Sequence, residues 1–205
     1  MKALTNRQTK DYIVQEIRDQ ILSGTIEPGE ELAQEALAEM LGISRMPVRE
    51  ALQTLVEEGF AVRLPNRHIQ AVVLDAEQIR EMFRVTAASE AEMLIAAAEK
   101  EIDTGILRKT VEEMKAAEEL PEKAQLELEF HRQTAEILQN PYLKQTQRKI
   151  IDGYVAYAVE NMGEKEEMHQ ILSGLMDAVD RKDAEGIRES LRAYYDRCAD
   201  AFAAR

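Results

Sequence analysis

Residues 41–59, LGISRMPVREALQTLVEEG, constrain this chain more than any other stretch, because they permit one kind of helix with one kind of exposed end. Ser44 stands where a hydroxyl can accept an orphan backbone N–H, and Pro47 falls in the first turn, where a missing N–H costs nothing. The predicted helix therefore starts at Ser44, and Gly59 ends it as a C′ residue. Val48, Leu52, Leu55 and Val56 recur at helical spacing and predict a core-facing stripe. Arg45, Met46 and Arg49 fall on or near the opposite side, at the N-terminal end. Arginine forks match guanine edges and phosphates, and a helix N-terminus adds a dipole that favours anions. The exposed end of such a helix is built to meet nucleic acid.

The neighbouring segments supply what that helix packs against. A first helix is predicted over about 9–23, with Ile13, Ile17 and Ile21 on one stripe and Gly24 as its stop. Pro28 and Gly29 make a turn, and a second helix over about 34–40 buries Leu37 and Leu41 before Gly42 turns the chain into the third. Beyond Gly59, residues 60–64 and 69–73 predict two short strands joined by Pro65-Asn66-Arg67-His68. Helix, turn, helix and hairpin describe a helix-turn-helix with a basic-tipped wing.

The stretch PGEELAQEALAEMLGISRMPVREALQTLVEEGF resembles the winged helix-turn-helix of GntR-family bacterial transcription regulators. The matching positions are Pro28, Gly29 and Leu32, then Leu37-Ala38, Leu41 to Arg45, Pro47 to Leu52, Leu55, and Glu58-Gly59. The resemblance implies DNA contacts for Ser44, Arg45, Met46 and Arg49 of the recognition helix, and for Asn66, Arg67 and His68 at the wing tip. Two positions depart from the family pattern. Glu35 stands where the family often has Arg, which removes a phosphate contact, and His68 stands where it usually has Gly.

Charge bears directly on that expectation, since DNA affinity is carried largely by basic contacts to phosphate. The chain has a net charge of −13. Residues 1–75 alone hold eight Lys or Arg against twelve Asp or Glu, about −4. A small basic footprint of Arg45, Arg49, Arg63 and Arg67 on an acidic body predicts modest, strongly salt-sensitive binding that gains affinity from a dimer. Cys198 is the single cysteine, so no internal disulfide framework exists. No apolar run approaches the roughly 18 residues of a membrane span, and MKALTNRQTKDYIVQ lacks a signal-peptide core. The expectation is a cytoplasmic protein without a membrane partner.

Asp75 with Gln78 three residues on is a capping-box start, which places the domain boundary at 74/75. From there to residue 205 every periodic segment reads as helical: about 76–99, 103–118, 122–138, 141–160, 164–181 and 183–203. The fold class is therefore mainly α, with a winged helix-turn-helix over 1–74 and an all-α bundle of about six helices over 75–205. Glycine-rich phosphate loops, a CxxC pair and an HExxH are absent, so the common catalytic signatures fail and no enzyme is expected.

This second half resembles the FCD helical ligand-binding domain of the FadR-type branch of the same family, in its shorter, six-helix form. The resemblance rests on IREMFRVTAASEAEMLIAAA, LELEFHRQTAEILQNPYL and MDAVDRKDAEGIRESLRAYYDR. Many such domains hold a divalent metal with an Asp-x-x-x-His pair on one helix and two histidines on the last two. Here the pair becomes Glu127 and His131, on one helix face, while Leu172 and Tyr194 occupy the other two positions. Two ligands fall short of the usual three or four. His169, one turn before Leu172, is the only candidate to add a third if its helix shifts. The family's first effector-domain helix usually carries an Arg four residues before its Glu, and here Thr86 precedes Glu90. The resemblance thus implies an effector site among Thr86, Glu127, His131, Leu172 and Tyr194, suited to a ligand more apolar or differently charged than a small carboxylic acid. It further implies a homodimer on double-stranded operator DNA, with repression as the default output.

Overall fold

The computed structural model describes residues 6–72, 74–162 and 165–203. It divides into two compact units, Met1–Leu74 and Asp75–Arg205.

In the first unit, α1 (Asn6–Leu22) buries Ile13, Val14, Ile17, Ile21 and Leu22. α2 (Gln34–Leu41) ends at Gly42, whose φ of 65° lets its N–H reach back to the carbonyls of Ala38 and Glu39. α3 (Arg45–Glu58) buries Val48, Ala51, Leu52 and Leu55 against α1, and Gly59, at φ 87°, closes it in the same way. Leu41 and Val56, both expected in the core, are half-buried. Ser44 occupies the N-cap position with extended backbone, but its hydroxyl makes no capping hydrogen bond. That corrects the expectation of a side-chain cap and leaves the hydroxyl at the helix mouth, on the exposed side. Arg18 binds α1 to the end of α3: its Nη2 lies 2.5 Å from Glu58 Oε2, and its guanidinium sits 5.4 Å from the centre of the Phe60 ring.

The wing is shorter than predicted. β1 (Ala61–Arg63) pairs antiparallel with β2 (Ile69–Ala71) in the register Ala61↔Ala71, Val62↔Gln70, Arg63↔Ile69. Val73, included in the predicted second strand, lies outside the described residues. The turn after α1 extends the sheet edge, since Leu32 N–H donates to the Ile69 carbonyl and Ala71 N–H to that of Glu30. This pairing ties the wing to the segment that leads into α2. At the tip, Asn66 Oδ1 accepts the His68 N–H, and Arg67 takes the left-handed conformation at φ 72°.

The second unit begins with α4 (Ala76–Glu99). The Asp75 carboxylate accepts the N–H groups of Glu77 and Gln78, while the Gln78 side chain accepts the Asp75 N–H. α5 (Gly105–Ala116) and α6 (Leu120–Glu136) pack on each other, and α9 (Lys165–Asp180) packs on α5 and on α10 (Ala184–Ala203). The long α4 lies along α10. The single helix expected over 141–160 is instead α7 (Pro141–Ile150), a π-helical turn (Ile151–Val155) and α8 (Ala156–Asn161). Gly153 lies inside that turn, where low helix propensity lowers the cost of the bulge. Asp152 in the same turn accepts from Arg132 at 2.8 Å and from Arg148 at 3.1 Å, holding the bulge against α6. The predicted stop at Gly163 lies outside the described residues. Among the described residues no helix is long and apolar enough to cross a membrane.

Candidate functional site

Two arrangements carry chemistry, one in each unit. In the first, the cores of α1 and α3 leave the opposite side of α3 in water. Ser44, Arg45, Met46 and Arg49 are all exposed, Met46 at 57%. Pro47 and Val48 between them are buried, which sets the rotation of the helix and therefore which side chains face outward. A groove of about 590 Å³ runs beside Arg49, lined by the cations Lys10 and Arg63, by Gln53 and Thr54, and by the carboxylates Glu50 and Glu57. Arg63 Nη2 donates to Gln53 Oε1 at 3.0 Å, linking the first wing strand to the recognition helix. Asn66, Arg67 and His68 are exposed at the wing tip, so the helix and the wing both offer donors to solvent.

Three features of this surface escaped sequence reasoning. Glu35 in the first turn of α2 accepts from Arg45, and Glu31 lies 2.7 Å from His68 Nδ1. Lys10 of α1 joins the groove of Arg49. The placement of Glu31 depends on the pairing of its backbone with β2, through a bridge to Gln70, and no local pattern announces that.

In the second unit a polar centre lies within the bundle. Glu127, His131, Glu90, Tyr194 and Tyr195 are all buried to 3% exposure or less. Tyr194 donates to Glu127 Oε1 at 2.8 Å. Tyr195 donates to Glu90 Oε2 at 2.5 Å, and His131 Nδ1 lies 2.8 Å from Glu90 Oε1. The His131 ring centre is 4.6 Å from that of Tyr194, so α4, α6 and α10 meet here through two carboxylates, an imidazole and two phenols. Nε2 of His131 has no hydrogen-bond partner among the described residues. Burial, and then the charge of Glu127, push the Tyr194 phenol well above its ordinary value, and burial followed by Glu90 does the same for Tyr195.

Of the residues the resemblance implied for an effector site, the structure brings Glu127, His131 and Tyr194 together. Thr86 and Leu172 are buried in the same unit, but the Thr86 hydroxyl donates to the Met82 carbonyl in its own helix and makes no polar contact with that trio. Glu90 was visible in the sequence, yet its pairing with His131 and Tyr195 was not. The one signal was the adjacent Tyr194-Tyr195 pair, which can turn both rings inward on a helix.

The donor set does not fit a divalent metal. Tyr194 engages Glu127, and Glu90 takes Nδ1 of His131. His169, on α9, is 8% exposed, with Nδ1 unpaired and the ring kept below its ordinary pKa chiefly by burial. Among the described residues no group of three His, Cys, Asp or Glu side chains is placed to hold a metal ion, so His169 does not complete a site with Glu127 and His131.

Comparison with known proteins agrees with this division of labour. The family model for bacterial regulatory proteins of the gntR family matches residues 9–69, and that for the FCD domain matches residues 78–197. An HTH-type transcriptional regulator from the TAR-I ttuE-ttuC' intergenic region of Agrobacterium vitis is 36% identical over 124 residues, covering 56% of this chain and 72% of that protein. The Nta operon transcriptional regulator of Aminobacter aminovorans is 27% identical over 178 residues, covering 82% and 84%. Among solved structures, Lar of Listeria monocytogenes, described as controlling expression of the agr system, shares the fold at TM-score 0.71 and 18% identity over 100% of this chain and 98% of that one. With a winged helix-turn-helix matching one model and a helical bundle matching the other, this chain belongs to the gntR family of bacterial regulatory proteins and is a DNA-binding transcription regulator with an FCD domain.

Proposed function

We propose that the chain is a repressor that binds its operator as a cytoplasmic homodimer and is controlled by a small metabolite bound in the helical unit. The observation that carries the reading is the exposed end of α3, where Ser44, Arg45, Met46 and Arg49 stand clear of the core. In this reading Arg45 and Arg49 read base edges in the major groove, Ser44 and Met46 fill the space beside them, and Asn66, Arg67 and His68 follow the adjacent backbone or minor groove. Two copies place two such helices one helical turn of DNA apart, so the operator is roughly palindromic.

The effector occupies the centre formed by Glu127, His131 and Tyr194, and the resemblance adds Thr86 and Leu172 of the same unit to its contacts. Glu90 and Glu127 are buried there, and among the described residues of this unit none of the buried polar side chains is Lys or Arg. That composition disfavours a small carboxylic acid and favours a ligand that is apolar or that brings hydrogen-bond donors. Control requires the ligand to prefer one arrangement of the dimer over another, since equal affinity for both shifts nothing.

Mobility shift and footprinting on the DNA upstream of the chain's own gene test the reading. A discrete, competitor-resistant complex that weakens steeply with salt is expected. Failure to bind any duplex would overturn it. A melting-temperature screen then identifies the effector class, and shifts only by citrate-like or gluconate-like acids would overturn the assignment of the pocket.

A further inference from the structure

The cations that face DNA in this reading are not equivalent. Arg45 Nη2 donates to Glu35 Oε1, and the two side chains are 65% and 74% exposed. Arg49, one turn further along the same helix, has no ion-pair partner among the described residues and stands in a groove lined by Lys10 and Arg63 and by Glu50 and Glu57. Arg45 is therefore held by a carboxylate at ion-pair distance and Arg49 is not.

We infer that Glu35 is a specificity-determining positioning residue: it holds the Arg45 guanidinium, screens its charge from phosphate, and leaves its remaining donors for a base edge. The inference rests on the DNA-binding reading above. A guanidinium has five N–H donors, and one carboxylate uses one or two of them. The free donors still match the O6 and N7 acceptors of guanine, which are neutral and are not repelled by Glu35. A phosphate is an anion, and bringing it to Arg45 sets it against the Glu35 carboxylate. Phosphate contacts supply affinity for any sequence, whereas base contacts supply discrimination. Glu35 thus lowers the first and spares the second, while Lys10 and Arg63 beside Arg49 remain for the backbone. Because the pair is exposed, its strength corresponds to no more than about a five-fold change in an equilibrium constant, which sets the scale of the effect.

The test uses the full chain as wild type, Glu35→Gln, Glu35→Asp, Arg45→Ala and the Glu35→Gln/Arg45→Ala double variant. Each is titrated by fluorescence anisotropy on a random-sequence duplex over a salt series, and each is used to select sites from a randomised duplex library. Glu35→Gln is expected to bind the random duplex about three- to five-fold more tightly per winged unit. Its log–log salt slope should steepen by about 0.9 for each added phosphate contact. Its selected consensus should lose one base position per half-site. Glu35→Asp should restore wild-type behaviour, and the gain should vanish when Arg45 is Ala. A wild-type consensus that Glu35→Gln reproduces, with an unchanged salt slope, overturns the role of Glu35 and leaves the DNA-binding reading standing. A wild type that neither binds the random duplex nor yields a consensus overturns both.

Discussion

Replacing Tyr195 by Phe isolates one hydrogen bond at the buried centre of the helical unit. The phenol donates to Glu90 Oε2 at 2.5 Å, and Glu90 also takes His131 Nδ1 at 2.8 Å. The substitution keeps the ring, so its stacking on Phe83 at 5.8 Å survives and no cavity of consequence opens. What is lost is a hydrogen bond to a buried carboxylate, which costs about 1.5–3 kcal/mol. Because Glu90 keeps His131, the loss is that of one bond and not of a whole network. Spread over an unfolding transition for a chain of this size, that corresponds to a fall in Tm of roughly 3–12 °C. Scanning calorimetry on the full chain reads it directly, with Glu90→Gln and the double variant closing a thermodynamic cycle. The cycle should give a coupling of at least about 1 kcal/mol, because donor and acceptor touch. A Tyr195→Phe protein within about 0.5 kcal/mol of wild type, or additive single substitutions, would refute the view that this centre is held by its polar bonds.

In the first unit, Glu58→Ala takes the carboxylate from the Arg18 guanidinium, whose side chain is 8% exposed and which keeps its bond to Gln15, and should cost about 2 kcal/mol in chemical denaturation. Removing the exposed partner in Lys109–Glu113 by Glu113→Ala should change stability by less than about 0.5 kcal/mol. Stability should also fall in alkali. Tyr194 and Tyr195 are held above their ordinary value in the folded state, so as pH passes about 10 the unfolded chain releases these protons first and binds fewer of them. The contribution is complete below pH 10 and is lost above it, and the Tyr194→Phe/Tyr195→Phe double variant should show a flatter profile in pH-dependent urea unfolding.

The winged unit was legible because its instructions are local. The start of α3 after Ser44, the Val48 to Leu55 stripe and the turns at Gly42 and Gly59 each lie within a few residues of what they control, although the Ser44 hydroxyl does not make the expected cap. The strands came out shorter than their apolar runs: the residue-for-residue ladder covers only Ala61 to Arg63, and beyond it single bonds remain, Val72 N–H to the Phe60 carbonyl and Leu64 N–H to that of His68. Helix periodicity also ran straight through residues 141–160, because a π-helical turn adds a residue without breaking the apolar pattern. The polar centre was only half legible. Glu127 and His131 share a helix face four residues apart, but Glu90 meets His131 across 41 residues and Tyr195 across 105. Such partners are chosen by how α4, α6 and α10 pack, which no local spacing encodes. The same holds at the DNA-facing surface, where Arg45 was visible as a donor but its carboxylate partner was not.

The most direct test of the account is the binding of wild type and Arg49→Ala, side by side, to the footprinted site upstream of the chain's own gene. Arg49 is exposed and packs no core, so the variant should keep its fold and its oligomeric state by light scattering. The account predicts that it loses about 1–3 kcal/mol of specific binding per half-site while binding to random duplex falls much less. Wild-type affinity for that site in the Arg49→Ala protein would contradict the assignment of α3 as the helix that reads the operator.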